Sequence, residues 1–208
     1  MPDHYFTPLP QSQSHPGRFS FSYRGHTLVF HTDSGVFSRL NVDKGSLRLL
    51  NALPEAMSGA VLDMGCGYGA IGLTLAKANP DCFVTLADIN RRAVLLAAAN
   101  AKENDLSVRT LVSDGFAAVQ GERFDTVLLN PPIRAGKQVI YRMFSDTARC
   151  LTPGGAFWLV IRKRQGAESA ISRLREHFSR VEAADKSGGY WVLRCDESLV
   201  KEAESDGL

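Results

Sequence analysis

Two stretches of this sequence combine residue types and spacings that could do chemistry. The first is Val61-Leu62-Asp63-Met64-Gly65-Cys66-Gly67-Tyr68-Gly69-Ala70-Ile71-Gly72. An apolar run passes into closely spaced glycines and then into helix-forming residues. Glycine reaches positive φ freely and lets a backbone approach a ligand. In the order strand, glycine turn, helix, that freedom builds a nucleotide-type site. Asp88-Ile89 closes the next apolar run about twenty residues on, a spacing at which a carboxylate can accept from ribose hydroxyls. Asp88 could instead cap the helix that starts at Arg91, a role Asn90 could also fill. Asp114-Gly115 follows a third run, where the carboxylate could meet an adenine amino group or only shape a turn. These residues suit any adenosine-bearing cofactor, NAD and S-adenosylmethionine alike.

The second stretch, Leu128-Leu129-Asn130-Pro131-Pro132-Ile133, ends a fourth run. The Asn130 side chain carries an acceptor oxygen. Pro131 adds a carbonyl with no accompanying N–H, and the two prolines stiffen the backbone and keep Asn130 out of the helical region. Two fixed acceptors are what an amine conjugated to a ring or carbonyl needs. They can hold its N–H groups and favour a pyramidal nitrogen aimed at an electrophilic methyl group, so orientation and electrostatics supply the catalysis. That chemistry selects S-adenosylmethionine over NAD.

The elements that must position these residues follow an alternating rhythm. Strands are expected at Ala60–Met64, Phe83–Asp88, Val108–Val112, Phe124–Leu129 and Ala156–Ile161, with helices at Ala70–Ala78, Arg91–Glu103, Gln138–Leu151 and Ala167–Phe178. Arg180–Ala184 and Tyr190–Cys195 read as a closing antiparallel pair around Gly188-Gly189. The alternation implies an α/β fold, a Rossmann-like seven-stranded and mostly parallel sheet with one antiparallel strand and helices on both faces. An N-terminal β-hairpin, in which Phe19, Phe21 and Tyr23 alternate before Arg24-Gly25, precedes it, followed by a helix over Asp43–Leu53. The expected organisation is a flexible arm at 1–17, a hairpin and helix extension at 18–59, the main domain at 60–195 and an acidic tail at 196–208.

The net charge of the 208-residue chain is only +2, yet its distribution is uneven. Between Gly121 and Arg180 eleven Lys/Arg face five Asp/Glu, while the segment from Cys195 onward holds five acids and one lysine. Arg162-Lys163-Arg164 follows the fifth strand of the main sheet, and Arg134 and Lys137 follow the Asn-Pro-Pro turn, so all five should border the ligand edge. A basic edge there could neutralise RNA phosphates, although a short basic run can equally be a solvated surface. Phe37 or Tyr141 could stack on a target base. The four cysteines, Cys66, Cys82, Cys150 and Cys195, form no Cys-x-x-Cys pair, and with no recognisable export signal they are expected to be reduced thiols. No metal site is expected from the scattered histidines, and no apolar run is long enough to span a bilayer. These features point to the cytoplasm.

Asp63 through Gly69, Asp88, Asp114 and Asn130-Pro131-Pro132-Ile133 resemble the ordered motifs of class I amino-methyltransferases, and Leu151-Thr152-Pro153-Gly154-Gly155 also fits. Gly35-Val36-Phe37-Ser38 through Asp43-Lys44-Gly45-Ser46 is similar to the stretch before the cofactor loop in the RsmC-like small-subunit ribosomal RNA guanine-N2 methyltransferases. The resemblance covers roughly Ser20 to Cys195. It implies that Gly65, Cys66 and Gly67 line the methionine end of S-adenosylmethionine with Asp63 near its amino group. It also implies that Asp88 holds the ribose and Asp114 the adenine, while Asn130 and Pro131 accept from the target amine. Ile133 stands where family members often carry Phe or Tyr, and longer members have an additional amino-terminal domain. The partner implied is ribosomal RNA or the small ribosomal subunit. The same Asn-Pro-Pro chemistry also serves a protein glutamine or a small-molecule amine, so those substrates stay open. A nicotinamide oxidoreductase and a non-catalytic binding module are disfavoured by the Asn-Pro-Pro turn and by the joint presence of Gly65, Asp88 and Asn130.

Overall fold

The computed structural model describes residues 13–200. Strands β1 (Gly17–Tyr23) and β2 (His26–Thr32) pair as an antiparallel hairpin, and α1 (Lys44–Ala52) follows. The main body then runs β3 (Gly59–Met64), α2 (Ala70–Ala78), β4 (Cys82–Asp88), α3 (Arg91–Glu103), β5 (Arg109–Val112), β6 (Phe124–Leu129), α4 (Lys137–Cys150), β7 (Leu151–Arg162), α5 (Ala167–Leu174), β8 (Phe178–Ser187) and β9 (Tyr190–Ser198). Its sheet has seven strands in the order β5-β4-β3-β6-β7-β9-β8. The pairs from β5 to β7 are parallel, and β9 runs antiparallel to both of its neighbours.

Both faces of this sheet are buried, which is why its central strands are almost continuously apolar. Val61, Leu128, Trp158 and Val160 pack with α1, α2, α3 and the hairpin on one face. Leu62, Val127, Leu129, Phe157 and Leu159 pack with α4 and α5 on the other. The hairpin joins the body through two buried asparagines, Asn100 in α3 and Asn104 at its C-terminal cap. Asn100 accepts from the His31 N–H (2.7 Å) and donates to the His31 carbonyl (3.0 Å). Asn104 does the same with Val29 at 2.8 Å each way. Spaced one helical turn apart, the two carboxamides stand in for a neighbouring strand along β2. They satisfy edge groups that would otherwise be costly to bury.

Several boundaries differ from the sequence expectation: β7 starts at Leu151 instead of Ala156, and β8 spans Phe178–Ser187 instead of Arg180–Ala184. Ile171, Leu174 and Phe178 fit one helical face, but the helix ends at Leu174, and the fully buried Phe178 opens β8, its ring centroid 5.9 Å from that of Phe157. Strand β9 continues to Ser198, so the first acidic residue, Asp196, lies buried in the sheet and takes a hydrogen bond from Arg194. At the amino end, residues 1–12 of the expected arm lie outside the described residues, and within the rest Ser14 and His15 both donate to Asp33. Likewise 201–208 of the expected acidic tail lie outside them. Among the described residues no helix is long and apolar enough to cross a membrane.

Candidate active site

A cleft of about 470 Å³ opens at the carboxyl ends of the parallel strands. The strand order lays out its floor. Asp114 and Gly115 follow β5, Asp88 and Ile89 close β4, Gly65 to Gly67 follow β3, and Asn130 to Pro132 follow β6, and all of them line the cleft. Gly65 (φ 69°) and Gly67 (φ 58°) adopt the left-handed conformation that favours glycine, and a side chain on either would meet nothing within 4 Å. The bare backbone therefore faces open space. The turn is pinned from behind, where the Gly65 and Cys66 N–H groups both donate to the Ala87 carbonyl.

Asp88 accepts from the Gly67 N–H through one oxygen and from the Asn90 N–H through the other, each at 2.8 Å. Asn90 itself caps α3, accepting from Arg92 and Ala93, so Asp88 is not the helix cap. A carboxylate oxygen carries a second lone pair, and Asp88 can turn both toward a ligand's hydroxyls. Burial raises its pKa against the opposing pull of those backbone donors. Asp63 sits beneath the turn instead of in the cleft. It is buried and accepts from the Gly72 N–H at 2.8 Å. Burial, and less strongly the nearby Asp88 charge, push its pKa up to about 7, while the bond from Gly72 opposes them. Gly69 is also outside the lining. It caps the start of α2 at φ 94°, where a side chain would strike Leu73.

At the other end, the Asn130 side chain reaches across to α1. Its Nδ2 donates to Asp43 Oδ2 and to Ser46 Oγ, both at 3.0 Å. Asp43 caps α1, accepting from the Gly45 and Ser46 N–H groups, and both Asp43 and Ser46 line the cleft. Sequence reasoning assigned neither of them a role. The signal present was the Asp-x-x-Ser spacing of a helix start, which says nothing about a partner 87 residues away. Pro131 and Pro132 also line the cleft, as does Phe37, which is 41% exposed at its mouth.

Several nominated substrate residues lie elsewhere. Ile133 packs into the core on the α4 side. After it the chain makes a tight turn to Gly136 (φ 95°), and that turn sets the phase of α4. The face turned to the cleft carries Val139, Arg142, Met143 and Asp146, at helical spacing. Tyr141 falls on the opposite side, against Phe144 and beneath the Arg173 guanidinium, so it cannot stack on a ligand in the cleft. Arg134 and Lys137 are exposed but line neither this cleft nor its neighbour. That neighbour is an open depression bordered by Lys44, Arg162, Lys163, Arg164 and Tyr190. Within it the Arg162 Nε donates to the Tyr190 hydroxyl (2.8 Å) and its guanidinium lies over that ring, so Arg162 is held by the fold, while Lys163 and Arg164 are exposed. The first turn of α1 is the wall between the two spaces, with Lys44 toward the depression and Asp43 and Ser46 toward the cleft.

A family model described as the methyltransferase small domain matches residues 27–194. The chain is 41% identical over 197 residues to the uncharacterized protein YbxB of Bacillus subtilis, covering 93% of this chain and 98% of that one. It is 30% identical over 207 residues to a ribosomal RNA large subunit methyltransferase G of Yersinia enterocolitica, covering 96% of this chain and 52% of the relative. Among solved structures, the T. thermophilus 16S rRNA N2 G1207 methyltransferase (RsmC), in complex with AdoMet and guanosine, superposes with a TM-score of 0.81 at 32% identity. That match covers 90% of this chain and 52% of the other. The chain thus spans about half the length of these two RNA methyltransferases.

Proposed function

The chain belongs to the methyltransferase small domain family, whose members use S-adenosylmethionine, and from that premise we propose that it methylates the exocyclic N2 amine of a guanine in small-subunit ribosomal RNA. The supporting observation is the fixed carboxamide of Asn130 at the β6 end of the cleft. Its nitrogen is occupied by α1, which leaves Oδ1 as an acceptor, and the next residue, Pro131, lines the same cleft. The cleft suits the cofactor, with open glycine backbone beside a held carboxylate and the strand order running from Asp114 through Asp88 to Gly65 and Asn130. Asp114 and Asp88 would hold the adenosine, and Gly65 to Gly67 the methionine portion. When bound, S-adenosylmethionine supplies an electrophilic methyl group. Asn130 and Pro131 accept the two N–H groups of the target amine, hold its lone pair toward that methyl and stabilise the positive charge that develops on nitrogen. Phe37, at the mouth, offers the aromatic face for the base in place of Tyr141.

The exposed Lys44, Lys163 and Arg164 supply phosphate contacts beside the cleft, the arrangement that a base drawn out of its strand requires. A protein with this substrate would work in the cytoplasm. The relative that acts on the large subunit makes the choice of subunit an experimental question. Labelled methyl transfer to naked ribosomal RNA and to each subunit, from cells lacking the protein, followed by nucleoside mapping, decides it. The expected product is N2-methylguanosine in small-subunit RNA. Label in protein, or in another nucleoside, overturns the reading.

A further inference from the structure

A carboxamide has two ends that differ in chemistry and scarcely at all in shape. An Asn in a cleft can present an acceptor oxygen or a donor NH2 group. Only the first serves an amine that must be held by its own N–H groups. Turned over, Asn130 would set donors against donors. The proposed chemistry therefore needs something to hold the amide one way round, and the first turn of α1 carries it.

Asp43 Oδ2 receives three hydrogen bonds, from the Ser46 N–H (3.1 Å), the Ser46 hydroxyl (2.5 Å) and Asn130 Nδ2 (3.0 Å). Asp43 Oδ1 receives the Gly45 N–H at 2.8 Å. Because the Ser46 hydroxyl spends its one proton on Asp43, it can meet Asn130 only as an acceptor, which it does at 3.0 Å. An ionised carboxylate is likewise acceptor-only. Both neighbours of the amide thus accept and neither can donate to it. An Asn130 oxygen turned toward α1 would face two acceptors, so Nδ2 must point there and Oδ1 away. We infer that Asp43 and Ser46 are positioning residues that lock the Asn130 carboxamide with its acceptor oxygen toward the substrate amine. The inference rests on the proposed role of Asn130.

Capping α1 and orienting Asn130 are separable by substitution. Asn is among the good helix caps, so Asp43→Asn keeps an oxygen for one of the two capping N–H groups but can turn its NH2 toward Asn130, and the polarity of the lock is lost. Expected is a fall in kcat of about 10-fold or more, with KM, the Kd for S-adenosylmethionine and Tm little changed. Ser46→Ala removes one of the two acceptors and should have a smaller effect of the same kind. The deciding variant is the exchange. Asn130→Asp alone sets two carboxylates against each other. In Asp43→Asn/Asn130→Asp the amide at position 43 can donate to the carboxylate at position 130, whose other oxygen still accepts from the substrate. The double variant should turn over at least about 10-fold faster than Asn130→Asp and also faster than Asp43→Asn; relief of the carboxylate pair alone would give the first gain but not the second. The assay is methyl transfer to ribosomal RNA from cells lacking the protein. If Asp43→Asn keeps wild-type kcat while Asn130→Ala is dead, the inference fails and the role of Asn130 survives. If Asn130→Ala itself turns over normally, the reading beneath it fails. If the exchange is additive and Tm falls with kcat, Asp43 is a helix cap and nothing more.

Discussion

The two halves of the cleft are built on different plans. The half formed by β3, β4 and β5 is compact, since each ligand-facing group sits on the turn that ends its own strand and is tied to the turn of the adjacent strand, as where the Gly67 N–H donates to the Asp88 carboxylate. The half around Asn130 is assembled from distant parts of the chain. Its amide is held by α1, α1 leans on the β8–β9 hairpin, and α4 supplies the facing wall. At Gly45 a side chain would come within 3.1 Å of the Tyr190 ring, so glycine there lets the hairpin close against the first turn of α1. A shared cofactor can be met by one compact unit of sequence. A particular substrate is met by loops and helices whose relative placement is free to change.

The sharpest way to break this division is at Asn130. Asn130→Ala should lower kcat by about 10²–10³-fold or more, comparable to removing a preorganised transition-state contact, while the Kd for S-adenosylmethionine stays within about 2-fold. Calorimetry on the variant alongside single-turnover transfer separates the two. Equal losses in binding and chemistry would mean the halves are one unit. The reciprocal change is Asp88→Ala, which removes a carboxylate that can bond hydroxyls and frees the Gly67 and Asn90 N–H groups it ties down. At roughly 1.5–3 kcal/mol for a hydrogen bond to a charged group, cofactor affinity should fall about 10- to 100-fold, with RNA binding unaffected. Unchanged affinity would remove Asp88 from the site.

A weaker effect is expected at the depression. Neutralising Lys44, Lys163 and Arg164 together should lower RNA affinity several-fold at moderate salt. Its log–log salt dependence should flatten by about 0.7 for each phosphate that the protein no longer neutralises. Cofactor affinity should not move. Neutralising Arg134 and Lys137, which border neither space, should do much less. If the triple and the double variant behave alike, the phosphates do not follow the depression.

The same division explains what was legible in the sequence. The glycine turn, Asp88, Asp114 and the Asn-Pro-Pro turn could be read because a few adjacent residues fix their conformation, and the strand–helix alternation then carried each to the same sheet edge. Tyr141 was misplaced because the phase of α4 depends on the turn through Gly136, one residue of offset there rotating every side chain about 100° around the helix axis, and Ile133 because it sits in the turn before that helix and packs into the core. Asp43 went unassigned because capping and orienting use the same carboxylate, and only the fold reveals the second partner. Phe178 kept a helical spacing while belonging to a strand, because its burial against Phe157 outweighs the local pattern.

The smallest expected effect on methyl transfer concerns Asp63, which belongs to the cofactor half yet lies beneath it. Burial raises its folded pKa to about 7, from 3.8 for a freely solvated aspartate. Below pH 3.8 the group is protonated whether the chain is folded or not, and its contribution to stability is fully present. Between that value and about 7 the unfolded chain releases the proton and the folded one retains it, so stability falls as pH rises. Above about 7 the carboxylate is ionised in both states and the loss is complete. Asp63→Asn cannot ionise, yet its side-chain oxygen can still accept from the Gly72 N–H. Its Tm should therefore gain on wild type by on the order of 10 °C as pH is raised from about 4 to 8, with turnover at fixed pH close to wild type. Parallel Tm curves across that range would show that Asp63 ionises like an exposed carboxylate, and that the Gly72 N–H alone, without a retained proton, sustains it under the cofactor turn.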